Sequence, residues 1–258
     1  MWKQIRIAFL LLILLCVVVW QWIDRATVTA WNRPLWIGIY PLNGDGSPVA
    51  DRYLQALDSS AFSEIESFFA DQGHAYGLSV DQPVHMELYP VGRNLPPLLE
   101  QRSGPLATMW WSLKLRWFAW RVGDGGGRAK PHIRVFVLYH DPDVTPRVPH
   151  SLGLQKGLIG VAYAFASREA EGGNNIVITH EVMHTLGATD KYDPSSNAPL
   201  FPIGYAEPDR VPLLPQPYAE IMAGRRALSR DEFEMPDGLH AVVVGPMTAA
   251  EVRWSRAN

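Results

Sequence analysis

Residues 180–190 constrain this chain more than any other stretch. They read His180-Glu181-Val182-Met183-His184-Thr185-Leu186-Gly187-Ala188-Thr189-Asp190. On an α-helix, residues i and i+4 stand one above the other on one face. Two imidazoles so placed, His180 and His184, converge on one ion, and Zn2+ takes nitrogen ligands at about 2.0–2.1 Å. Glu181 is offset from that face. It reaches a metal-bound water without ligating the metal, which is what a general base requires. A third ligand six positions after His184 cannot stay on the same helical face. The helix must stop and the chain must turn back, and Gly187 can take the left-handed conformation that ends a helix. Asp190 then completes a three-ligand site with a fourth position open for water, the feature that separates a catalytic zinc from a structural one.

Composition narrows the alternatives. At 258 residues the chain has the length of one globular domain, and 47 % apolar content is too high for a disordered one. Its 23 Lys+Arg against 26 Asp+Glu give a net charge of −3. No basic excess exists to hold a phosphate backbone, so nucleic acid is excluded as a partner. The single cysteine, Cys16, rules out an internal disulfide framework and a cysteine-based zinc finger. A transition-metal site here has to use histidines and carboxylates. The 21 Gly and 21 Pro point to long loops around a modest sheet.

The N-terminus carries a different signal. Lys3 and Arg6 precede an apolar run over residues 7–19, continued by Trp20, Gln21, Trp22 and Ile23. The run is near the ~20 residues that span a bilayer, its tryptophans suit an interfacial belt, and its cations keep that end cytoplasmic. Residues 1–24 therefore read as a transmembrane signal anchor. The rival is a signal peptide cleaved at Val28-Thr29-Ala30, which has the small-residue form of such sites. Residues 25–34 read as a linker. Either reading places the domain at 35–258 outside the cytoplasm, periplasmic or extracellular: membrane-bound and single-pass if the anchor stays, secreted if it is cleaved.

Within that domain, residues 35–40 and 133–139 read as strands, and 84–89 alternates like another. Asn43-Gly44-Asp45-Gly46-Ser47 is a plain turn. Residues 50–72 carry a helical apolar stripe of Leu54, Leu57, Phe62, Ile65, Phe68 and Phe69. The stretch 157–165 is another strand, whose glycines suggest a sheet edge or close approach of another backbone. The histidine helix covers 174–187, and residues 188–228 form a proline-rich loop. Thr248-Ala249-Ala250-Glu251 reads as a capping box opening a last helix. A helix at 106–121 places Trp110, Leu113, Trp117 and Trp120 on one face, with Trp111, Leu115 and Phe118 broadening it. Two readings of that helix compete: a core helix packed on a sheet, or a membrane-interfacial surface with Lys114, Arg116 and Arg121 at the headgroups.

The pattern H-E-x-x-H-x-x-G-x-x-D resembles the metzincin zinc peptidases, and specifically the small snapalysin-like branch with Asp as third ligand. Tyr218-Ala219-Glu220-Ile221-Met222-Ala223-Gly224 resembles their Met-turn, with Met222 as the match. The resemblance covers roughly residues 35–256, while the specific motifs span only 180–192 and 218–224. It implies an α+β fold with a mixed, mostly parallel twisted sheet, an active-site helix and a Trp-rich insertion near 106–121. Some metzincins have a Tyr two residues after the Met, where this chain has Gly224. Tyr192, Tyr205 and Tyr218 are the candidates for oxyanion stabilisation.

The expected chemistry is zinc-dependent endopeptidase hydrolysis of a protein or peptide substrate. His180, His184 and Asp190 hold Zn2+ and Glu181 is the general base. A substrate strand would add to an edge strand, with 158–165 the candidate. Asp193, Glu207 or Glu220 are the alternative third ligands, a distant Glu being the gluzincin solution. A catalytically silent metzincin-like module that binds peptides or envelope partners is the non-enzymatic alternative.

Overall fold

The computed structural model describes residues 26–98, 104–123, 130–148, 151–154 and 157–254, with scattered positions between 2 and 19. The expected anchor falls largely outside the described residues. Among the described residues no helix is long and apolar enough to cross a membrane.

A five-stranded sheet organises the domain. Its strands are β1 (Leu35–Asn43), β2 (Val84–Leu88), β3 (Ile133–His140), β4 (Leu152–Leu154) and β5 (Ile159–Phe165), in the order β2-β1-β3-β5-β4. The first four in that order run parallel, and β4 pairs antiparallel with β5. This is the mixed, mostly parallel α+β sheet expected. Strands buried on both faces read as near-continuous apolar runs, and β3 is the clearest case, with Val135 through Tyr139 all buried.

The pleat sorts side chains to two cores. Ile37 and Ile39 of β1, Val135 and Val137 of β3, and Ala162 and Ala164 of β5 face one side. Helices α1 (Pro48–Ala56), α2 (Ser63–Ala75) and α4 (Glu171–Leu186) pack there through Leu54, Ile65, Phe69, Ile178 and Val182. Tyr40, Leu42, Phe136, Leu138, Val161 and Tyr163 face the other side, where α3 (Pro105–Val122) lays down Trp111, Leu115 and Ala119. A short helix α5 (Pro246–Glu251) closes the chain.

Several expectations change. The stretch 50–72 is not one helix: α1 ends at Ala56, and Asp58 accepts from Ser60 N to cap a 3₁₀ turn over Ser59–Phe62 before α2 starts. The strand at 159–165 is not the sheet edge, because β4 covers it; the three residues of β4 were too few to give a periodic signal. The expected linker at 25–34 contributes to the core. Val28 and Trp31 are buried, Trp31 packs edge-on against Trp254, and its indole donates to Val252 O at 2.8 Å. Thr248-Ala249-Ala250-Glu251 is no capping box. Helix α5 already starts at Pro246, so Thr248 and Glu251 are free to bond elsewhere.

Candidate metal centre

Helix α4 is fixed at both ends. At its start, the Asn174 amide accepts from Phe165 N and donates to Phe165 O, both at 2.9 Å, tying it to the end of β5. Asn175 donates to Ala61 O at 3.0 Å. At its end, Gly187 takes φ 112°, a conformation that L side chains rarely adopt. Its N–H and that of Ala188 bond back to Met183 O at 3.1 and 3.0 Å, which satisfies carbonyls that the helix terminus leaves open. The chain then reverses, as the spacing required.

That reversal brings three acceptors together. His180 Nδ1–H donates to Ile221 O at 2.9 Å, and His184 Nδ1–H donates to Ala188 O at 2.9 Å. With Nδ1 engaged, a neutral ring offers a bare lone pair at Nε2. Asp190 Oδ1 lies 3.2 Å from His180 Nε2 and 3.0 Å from His184 Nε2. The imidazole planes stand at 86° to each other with centroids 4.6 Å apart. An oxygen and two ring nitrogens at such distances are held together by a proton on an imidazole or by a cation among them. A tetrahedral ion with ligand bonds of about 2.0–2.1 Å separates its ligand atoms by about 3.3 Å, close to the spacing here. Burial alone would raise the Asp190 carboxyl, but the two imidazoles outweigh it and hold the group well below the usual carboxylate range. The same contact overcomes burial at His184 and raises it.

Glu181 also belongs to the cluster, since His180, Glu181 and His184 can offer ligand atoms within 4.8 Å of one another. Its surroundings differ from those of Asp190. It is buried, and its Oε2 has no hydrogen-bond partner. Burial, helped by the Asp190 charge and opposed by the two imidazoles, pushes its carboxyl up to about 7. Asp190 touches both Nε2 atoms and is half-exposed. The geometry thus suits Asp190 as ligand and Glu181 as a proton acceptor facing the cleft.

The cleft has a volume of about 450 Å³ and is lined by His180, Glu181, His184, Asp190, Tyr163, Tyr192, Gly224, Arg225 and others. Tyr192 lies 6.3 Å from the His180 ring, and burial followed by the Asp190 and Glu181 charges pushes its hydroxyl up to about 12. Tyr205 packs on Phe201, and neither it nor the partly exposed Tyr218 lines the cleft. Of the three tyrosines, only Tyr192 is brought to the imidazoles.

The alternative third ligands are engaged elsewhere. Asp193 accepts from Ser195 and Ser196, and Glu207 pairs with Arg210. Glu220 is saturated: Oε2 accepts from Met222 N and Ala223 N, and Oε1 accepts from Gly245 N and Thr248 Oγ1. That carboxylate binds the turn carrying the buried Met222 to the start of α5, and the Ile221 carbonyl of the same turn orients His180. Sequence reasoning missed this role, and also the buried Lys191, whose Nζ donates to Glu251 Oε2 at 2.7 Å. Adjacency of Lys191 to Asp190 was the only available signal. No protein-family model matches the chain, and no curated protein matches it either.

Proposed function

We propose that this chain is a zinc-dependent endopeptidase of the metzincin type, with His180, His184 and Asp190 as ligands and Glu181 as general base. The observation that carries the reading is the convergence of Asp190 Oδ1 on two Nε2 atoms whose Nδ1–H groups are already given to backbone carbonyls. When bound, zinc supplies Lewis-acid polarisation of a carbonyl and a water acidified toward pKa ~7. The protein supplies the rest. The Glu181 carboxylate, buried and with one oxygen unpartnered, takes a proton from the attacking water as its oxygen bonds to the scissile carbon. The same carboxyl returns that proton to the leaving amine as the C–N bond breaks. Ile221 O and Ala188 O fix the tautomers of the ligating imidazoles. Tyr192 is the hydroxyl placed to stabilise the developing oxyanion. The peptide adds along β4, the outermost strand of the sheet among the described residues, rather than along β5. From its N-terminal sequence, the domain works outside the cytoplasm, tethered by the run at 7–23.

Metal content and hydrolysis of unfolded casein, measured together, test the reading. Wild type is expected to hold about one zinc and to cleave. Asp190→Ala loses the metal. Glu181→Gln keeps the metal and loses about 10²–10⁴-fold in rate. Zinc bound equally by wild type and Asp190→Ala, or hydrolysis surviving Glu181→Gln, overturns it.

A further inference from the structure

Helix α3 has two apolar faces, and among the described residues only one of them is covered. At about 100° per residue, Trp111, Leu115 and Ala119 fall together and pack on the sheet. Leu106, Met109, Trp110, Leu113, Trp117 and Trp120 fall in an arc of about 100° on the opposite side. All six are exposed, with Trp110 at 60 %, Trp117 at 57 % and Trp120 at 76 %. The tryptophans therefore do not share a single face: Trp111 points inward, while Trp110, Trp117 and Trp120 point outward. Exposed apolar stripes of this kind mark a surface that meets something other than water.

The charges say what. Residues 105–122 contain Lys114, Arg116 and Arg121 and no acidic residue. By helical position Lys114 and Arg121 border one side of the stripe; Arg116 lies toward the other side, where its Nε is buried beside Gly157. The Lys114 ammonium sits over the Trp110 ring at 5.8 Å from its centroid, and the Arg121 guanidinium over the Trp117 ring at 4.9 Å. Exposed tryptophans bordered by cations are the arrangement of an interfacial helix, whose rings enter the acyl boundary while the cations meet headgroups. A second copy of the chain is a poor occupant, because a two-fold contact through this face would set the same cations against each other. The N-terminal run is equally poor, since residues 1–23 carry Lys3 and Arg6 and no acid to neutralise the border.

We infer that the outer face of α3 is a docking surface for an anionic phospholipid bilayer, lying flat on the membrane rather than crossing it. The inference is independent of the metal centre.

The full chain is tested with a polarity-sensitive fluorophore on Leu113→Cys in a Cys16→Ser background, and with the same probe on the exposed Asp231→Cys as control. Vesicles are phosphatidylcholine alone or phosphatidylcholine mixed with phosphatidylglycerol. The Leu113 probe should shift to the blue on the phosphatidylglycerol vesicles, with the Asp231 probe unmoved, and the shift should fade at high salt. Lys114→Glu with Arg121→Glu should return the emission to its lipid-free value without loss of fold. An equal shift on neutral phosphatidylcholine overturns the anionic assignment. No shift on vesicles with which the chain co-floats overturns docking altogether. Emission already blue without lipid identifies the chain's own N-terminal run as occupant, and a blue shift that grows with protein concentration identifies a second copy; either result overturns the inference.

Discussion

Lys191 follows the candidate ligand Asp190 and is completely buried. Its ammonium donates to Glu251 Oε2 at 2.7 Å and Thr189 O at 2.9 Å, and its backbone N–H donates to Met222 O at 3.0 Å. One residue thus ties the loop carrying Asp190 to the turn at Met222 and to the last helix. Removing one partner of a buried pair leaves an uncompensated charge, which costs about 3–5 kcal/mol when both ions are fully buried. Glu251 is partly exposed, so Glu251→Ala should destabilise the protein by about 2–3 kcal/mol. Lys191→Met added to it should recover much of that loss, because no charge is then left stranded. Denaturant titrations of both variants check the pair. Burial pushes the Glu251 carboxyl up, but its bonds to Lys191 and Thr189 outweigh this and hold it below the ordinary value. Its contribution is therefore complete above the unfolded pKa of about 4.3 and is lost as pH falls through the lower folded value. The gap between wild type and Glu251→Ala should stay constant from pH 7 to about pH 5 and close at more acid pH.

Two adjacent glycines in the first turns of α4 make opposite predictions at the scale of the element. A Cβ on Gly172 would drive into the Asp237 carbonyl oxygen and lie 3.1 Å from Gly238 Cα, both backbone atoms. A Cβ on Gly173 would meet nothing within 4 Å. Gly172→Ala should therefore cost about 1–3 kcal/mol by forcing α4 off the 237–238 segment. Gly173→Ala should add about 0.5–1 kcal/mol through helix propensity alone. Thermal denaturation of the two single variants reads the signs directly. Elements were legible in the sequence where one periodicity ran long enough. β1, β3, α4 and the reversal at Gly187 follow from apolar runs, the helical spacing of His180 and His184, and a glycine at the right offset. Elements set by tertiary contact were not. The break between α1 and α2 hangs on one aspartate cap, and β4 is three residues long. The opposed faces of α3 are equally apolar, so their pattern could not tell inward from outward.

On the scale of the whole molecule, the candidate centre gathers three separate stretches. α4 gives His180, Glu181 and His184; the reversal gives Asp190; the turn at 220–224 gives the Ile221 carbonyl and the buried Met222. The gathering of His180, Glu181, His184 and Asp190 was legible because these residues are compact in sequence. The supports were not, because Glu220 joins its turn to α5 through Gly245 N and Thr248 Oγ1, and no local pattern marks such a contact. Without a cation, Asp190 Oδ1 faces the two Nε2 atoms at 3.2 and 3.0 Å, and protonation of an imidazole competes with an ion for that contact. An ion bound there adds RT ln(1 + [L]/Kd) to stability, about 2.7 kcal/mol at a hundredfold excess over Kd. For a domain of this size that corresponds to a Tm shift of about 5–10 °C. Chelation should lower the Tm of wild type by this amount, and restoring zinc should recover it. Asp190→Ala should melt near the chelated wild type and respond to neither treatment. A wild-type Tm indifferent to chelator, with zinc shown to be removed, would mean that the three acceptors are held by the fold alone and that no ion bridges them.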